Sequence, residues 1–116
     1  EKISGVEVEK SYREDIGASP DSIETVRQGM RKVVNDRRGT GLKARQRDVI
    51  VSGKTGTAQT SRGKSHGWFA GFAPYDDAKL AVVVFDEYGG KGGYYAAATA
   101  GEVFAEADRL GLLKEQ

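Results

Sequence analysis

Hydrophobic residues change their spacing along this chain, and the changes mark its elements. Val6 and Val8 alternate with Glu7 and Glu9, the period of a short strand with one buried face. Gly17 to Ser19 reads as a break. Ser19 then offers an N-cap, Pro20 the first helical position, and Asp21 and Glu24 negative charge in the first turn. Ile23, Val26, Met30, Val33 and Val34 recur at helical spacing and predict one apolar stripe, with Arg27, Arg31 and Lys32 on much of the other surface. The helix should fail between Asn35 and Gly39.

Residues 39–47 read as a basic loop containing glycine. Asp48 to Gln59 then reads as a strand, in which Val49, Ile50 and Val51 are followed by glycine and threonine. Gly53 and Gly56 flank Lys54-Thr55. Glycine weakens a strand and marks places where another backbone or a ligand comes close, so a purely structural strand gains nothing from them. Thr60 to Ser65 is a polar turn. Gly67 to Ala73 predicts a second strand, ended by Pro74-Tyr75-Asp76-Asp77. Lys79 to Glu87 predicts a third, with Leu80 to Phe85 a continuous apolar run of high β-propensity. The short connections imply antiparallel neighbours. A glycine-rich loop from Gly89 to Gly93 leads to a closing helix, Tyr95 to Leu110, with Ala100, Val103, Phe104, Ala107 and Leu110 on its apolar face and Gly111 as its C-terminal cap. The expected class is α+β: an antiparallel sheet of three strands, with a candidate fourth at the N-terminus, packed with two helices.

Composition narrows the function classes. The chain has 116 residues, of which 38% are hydrophobic, which fits one domain or part of one with a small core. A net charge of +1 gives no reason to invoke nucleic acid or acidic lipid. Arg31, Lys32, Arg37, Arg38, Lys43, Arg45 and Arg47 form a local basic bias, but no aromatic residue lies among them to stack on a single strand. There is no cysteine, hence no disulfide, thiol nucleophile or thiolate metal site. No apolar run approaches the roughly 20 residues of a membrane helix.

Candidate chemistry concentrates in Ser52-Gly53-Lys54-Thr55-Gly56-Thr57-Ala58. A phosphate loop needs a glycine where this sequence has Asp48, and a helix where it has Gly56. The alternative is the Lys-Thr-Gly strand of serine acyl enzymes. The residue types suit that task. A lysine beside an acylating serine supplies positive potential and a proton-transfer partner. A threonine hydroxyl holds a substrate carboxylate, and the following glycine leaves room for a substrate backbone along the strand. The exposed edge recognises an extended peptide by main-chain pairing, and one strand N–H stabilises a tetrahedral oxyanion.

The longer string resembles the transpeptidase domain of class B penicillin-binding proteins. The matching features are VSGKTGTAQT at residues 51–60, HGWFAGFAP at 66–74, AVVVFDEYGG at 81–90 and the Ala-rich terminal helix. Upstream, Arg27-Gln28-Gly29-Met30, Val33-Val34 and Gly39-Thr40 are similar to the helix that precedes this strand in the family. Within the class, the wording is most like the elongation type, penicillin-binding protein 2. The resemblance implies part of a penicillin-binding/β-lactamase-like transpeptidase fold. It implies a serine-type D-alanyl-D-alanine transpeptidase that cross-links peptidoglycan stem peptides and is acylated by β-lactams. It further implies a membrane-anchored parent on the outer face of the bacterial inner membrane, paired with a glycosyltransferase. No cofactor or metal is expected. By the same resemblance, Lys54 orients the second-motif serine and the substrate carboxylate. Thr55 and Thr57 bind carboxylate or flank the acyl carbonyl, Gly56 lies between them, and the backbone of Thr57 contributes to the oxyanion site.

The departure from the family is the nucleophile. Among the serines only Ser61-Arg62-Gly63-Lys64 fits Ser-x-x-Lys, and it follows the Lys-Thr-Gly strand, whereas the family places its nucleophile far ahead of it at a helix start. No convincing Ser-x-Asn occurs either. Residues 1–116 are therefore expected to be the C-terminal portion of a transpeptidase domain, inactive alone and prone to self-association through exposed sheet edge. Two other readings stand beside this one: a non-catalytic peptidoglycan- or protein-binding module, and a fragment of a serine β-lactamase relative. His66 is read as a hinge or surface residue, Trp68, Phe69 and Phe72 as sheet-face packing, and Asp76, Asp77, Asp86 and Glu87 as turn solvation. The segment from Tyr88 to Tyr95 is read as a mobile cleft rim or an ordinary connection.

Overall fold

The computed structural model describes residues 2–3, 6–7 and 13–115. Its elements run β1 (Lys2–Ile3), β2 (Val6–Glu7), α1 (Pro20–Asn35), a 3-10 turn (Leu42–Ala44), β3 (Ser52–Ala58), β4 (His66–Ala73), β5 (Leu80–Asp86) and α2 (Tyr95–Arg109). β1 and β2 form an antiparallel pair, with Ile3 opposite Val6. The expected N-terminal strand is thus half of a pair, and Val8 and Glu9 lie outside the described residues.

The main sheet has the order β3-β4-β5 and is antiparallel throughout. Its register follows from side-chain alternation. Phe69 stands opposite Thr55 on one side and Val84 on the other, so the three share a face, together with Gly67, Gly71 and Ala73. That face is covered by α2, which packs on β4 and β5. Ala96, Ala97, Ala100 and Ala107 are small enough to let the helix lie close, and Phe104 fills the space they leave; together with Phe69, Val34, Ala44 and Val51 they make the core. The other face carries Lys54, Trp68, Ala70, Val83 and Phe85, all exposed.

α1 forms over the expected residues, and Ser19 caps it as predicted, its hydroxyl accepting from Ser22 N at 3.1 Å. Its buried side is the expected one only in the C-terminal half, where Met30, Val33 and Val34 are covered. Ile23 and Val26 are exposed by 43% and 61%, and only Val34 is fully buried. The covered side runs through Glu24, Arg27, Met30, Val33 and Val34. The reason is Tyr75, at the turn after β4: its ring lies under Arg27 at 4.6 Å and Arg31 at 5.0 Å, and its hydroxyl donates to Glu24 Oε1 at 3.0 Å. The arginines assigned to the outer surface are therefore contact residues, stacking through their planar guanidinium groups.

The third difference lies ahead of β3. Asp48 to Val51 bends at Asp48 and Val49 and is unpaired with β4, so the strand begins at Ser52. Isolated bonds hold this lead-in instead: Tyr75 N donates to Ile50 O at 2.9 Å, and Asn35 Nδ2 to Val51 O at 2.8 Å. The basic loop also winds into a 3-10 turn that buries Ala44 against α2.

Candidate functional site

β3 places its residues by simple alternation. Lys54 and Gly56 face one side of the sheet; Gly53, Thr55 and Thr57 face the other. Because β4 pairs with only one edge of β3 and no described strand pairs with the second, the ammonium and the two hydroxyls straddle an open backbone edge. Gly53 meets the sequence expectation of close approach: a Cβ there would lie 2.3 Å from the Phe69 ring. The tight turn of that ring under β3 requires the missing side chain.

Lys54 is exposed and curls back so that Nζ donates to the Thr55 carbonyl. Ala70 lies directly across from it, and Trp68 lies across from Gly56. Trp68 stacks on Phe85 at 4.5 Å, so the lysine stands beside an exposed aromatic surface. Ser52, one alternation before Lys54, is fully buried, and its hydroxyl has no partner among the described residues.

The two threonines are held from the opposite side. Thr55 is 9% exposed, and its Oγ1 is 2.8 Å from Thr40 Oγ1, which comes from the loop after α1. Thr57 Oγ1 accepts from Gly92 N at 3.3 Å. In each case a hydroxyl is fixed in direction. Whichever of Thr40 and Thr55 donates, the pair keeps one proton to offer a ligand, and Thr57, already accepting, has its own proton free. The strand thus offers an ammonium on one face and, on the other, the Thr57 hydroxyl and the Thr40–Thr55 pair, each with a proton to donate.

The glycine-rich loop is neither a free rim nor an incidental connection. Gly92 is buried, and a Cβ on it would lie 2.3 Å from both Gly56 O and Trp68 O. The loop is laid directly on the backbone of β3 and β4, which no other residue type permits. His66, expected as a surface or hinge residue, opens β4 and accepts from Tyr88 N through Nδ1 at 2.9 Å. Sequence reasoning missed Thr40, Gly92 and the His66 contact, although the Gly39-Thr40 and Gly89-Gly90 pairs had been noted as family-like. Ser61 lies exposed in the turn after β3, far from any helix start.

The larger grooves lie away from this edge. One is lined by Asp48, Tyr75, Asp76, Asp108, Arg109 and Lys114, a mixed-charge surface without convergent donors. Near it, Arg27 holds the Glu24 carboxyl below its usual range by a direct hydrogen bond, helped by the Tyr75 hydroxyl. Burial, then the bond to Glu24, pushes the Tyr75 phenol up. These groups anchor α1 and have no path to Lys54.

Comparison with known proteins gives a consistent picture. The family profile described as the penicillin binding protein transpeptidase domain matches residues 2–107. The peptidoglycan D,D-transpeptidase MrdA of Haemophilus influenzae is 38% identical over 96 residues, covering 69% of this chain and 15% of that protein. Penicillin-binding protein 2 of Pseudomonas aeruginosa, solved with WCK 5153, superposes with a TM-score of 0.67 at 36% identity, covering 74% of this chain and 19% of that one. The Helicobacter pylori homologue in its complex with MreC gives a TM-score of 0.70 at 29% identity, covering 80% and 18%. The chain thus spans less than a fifth of the length of these relatives.

Proposed function

This chain belongs to the penicillin-binding protein transpeptidase domain family, and from that premise we propose that it supplies the Lys-Thr-Gly edge of a serine-type peptidoglycan D,D-transpeptidase of the elongation type. The observation that carries the reading is the open edge of β3, with Lys54 on one face and Thr55 and Thr57 on the other.

In this reading the donor stem peptide lies along β3 with its terminal D-alanine carboxylate on the Thr55 and Thr57 hydroxyls. A serine outside residues 1–116 attacks the carbonyl of the penultimate D-alanine. Its proton passes to the leaving D-alanine amine as the amide bond breaks and the acyl ester forms. The amine of a second stem peptide then attacks the ester, the new amide forms, and the proton it loses returns to the serine. Lys54 supplies positive potential beside the serine and its proton path. The Thr57 N–H stabilises the oxyanion of both tetrahedral states. A β-lactam enters as a mimic of the donor, its carboxylate on the same hydroxyls. Gly56 leaves the strand edge clear of side chain.

The proposal extends to setting. The parent enzyme acts in the cell envelope, anchored at the outer face of the inner membrane and working with a glycosyltransferase. The complex of the Helicobacter pylori relative with MreC supports a protein partner for the parent enzyme. The transpeptidase names of the matching family and of the Haemophilus influenzae relative favour this reading over a β-lactamase relative or a binding module without chemistry.

The test is covalent labelling by a fluorescent penicillin. The complete protein carrying this segment should label one-to-one at a serine outside residues 1–116, and Lys54→Ala should slow labelling about 100-fold or more. The 116-residue chain alone should not label. Unchanged labelling in Lys54→Ala, or an adduct on Ser61, would overturn the assignment.

A further inference from the structure

His66 faces three elements at once. It begins β4 opposite Ala58, the last residue of β3. Its ring lies 5.1 Å from Phe85 and 4.6 Å from Tyr88. Its Nδ1 accepts the Tyr88 N–H at 2.9 Å. A nitrogen that accepts carries a lone pair, so this contact requires Nδ1 without a proton. Tyr88 needs such a hold: it is a bulky residue at φ 53°, in the left-handed region that L side chains avoid. Beyond it Gly89 N donates to Asp86 O at 3.0 Å, and Gly90 N donates at 2.9 Å to the carbonyl of Ser65, the residue before His66. From there the loop runs to Gly92, which touches Gly56 and Trp68 and donates to Thr57.

We propose that His66 is a positioning residue. By accepting the Tyr88 N–H it fixes the strained turn that seats the 88–93 loop on β3, and so sets the direction of the Thr57 hydroxyl. The imidazole touches no substrate in this arrangement; it acts through Tyr88 and Gly92. The same hydroxyl is the one assigned to the donor carboxylate, so the bearing on substrate rests on the transpeptidase reading. The seating of the loop does not.

Two variants separate the hydrogen bond from the packing. His66→Phe keeps an aromatic ring between Phe85 and Tyr88 and removes the acceptor. His66→Asn carries an acceptor oxygen close to the place of Nδ1. Nuclear magnetic resonance on the whole 116-residue chain should first show His66 as the tautomer protonated on Nε2. Amide exchange at Tyr88 and Gly92 should then quicken on the order of tenfold in His66→Phe, while Phe69 and Val84 stay unchanged, and His66→Asn should restore most of the protection. A proton on Nδ1, unchanged exchange at Gly92 in His66→Phe, or equal quickening at the core amides would overturn the proposal. The measurement uses no substrate, so failure of the transpeptidase assignment and failure of this one are told apart.

Discussion

Thr40 and Thr55 join hydroxyl to hydroxyl at 2.8 Å across fifteen residues of sequence, tying the loop after α1 to the Lys-Thr-Gly strand. Their environments differ: Thr40 is exposed, whereas Thr55 is 9% exposed. Thr40→Val therefore strands a buried hydroxyl and should cost about 1–2 kcal/mol, while Thr55→Val leaves a hydroxyl that water can serve and should cost about 0.5–1 kcal/mol. The double variant should cost less than the sum. Urea denaturation of the four proteins checks this cycle, and simple additivity would refute the coupling.

Gly92 and Gly90 make a contrasting pair. A Cβ on Gly92 would lie 2.3 Å from two carbonyl oxygens, whereas Gly90, at φ 81°, has nothing within 4 Å of its missing Cβ. Gly92→Ala should destabilise by about 3 kcal/mol, because sheet backbone cannot yield. Gly90→Ala should cost about 1 kcal/mol, from conformational strain alone. Thermal unfolding gives the order, and the reverse order would show that the loop does not lie on the sheet.

The Glu24–Tyr75 contact predicts a pH dependence with two limbs. Glu24 has its pKa lowered in the folded chain, chiefly by the bond from Arg27. Its contribution is present above the ordinary value of 4.5 and fades as pH falls through the depressed value. Tyr75 has its pKa raised, so its contribution is present below the ordinary value of 10.0 and is lost as pH rises through the elevated one. Glu24→Gln should flatten the acid limb and lower the alkaline pKa of Tyr75. Denaturation midpoints across pH and the tyrosinate absorbance check both; an unshifted tyrosinate titration would break the link.

β5 offers an apolar run on the side of the sheet away from β3, and no described strand pairs with its outer edge. Val83 and Phe85 are exposed by 67% and 45%. Such an edge pairs with another strand unless charge prevents it. The chain alone should therefore self-associate at high concentration, and Val83→Lys should shift it toward monomer. Sedimentation that shows a monomer at every concentration would count against edge pairing.

Much of this molecule was legible before its coordinates. Ser19-Pro20 and the charged first turn placed α1, because capping and dipole effects act within a few residues. Turn residues bounded β4, a continuous apolar run of high β-propensity placed β5, and small residues marked α2 as a helix that lies close to a sheet. The glycines around Lys54 announced close approach, and Gly53 against Phe69 bears that out. The buried side of α1 was legible at Met30, Val33 and Val34 but not in the N-terminal half. Hydrophobic spacing favoured Ile23 and Val26, but Tyr75 drew Arg27 inward, and its place under that residue depends on the turn after β4.

Sequence alone determined the two helices, β4, β5 and the strand that carries Lys54, Thr55 and Thr57, since each follows from the residue pattern of a single segment. Tertiary structure alone decided what holds those side chains. Thr40 reaches Thr55 over 15 residues, Tyr88 reaches His66 over 22, and Gly92 reaches Thr57 over 35. Contacts at such separations depend on how the sheet twists and where each loop lands, and no local periodicity encodes that path.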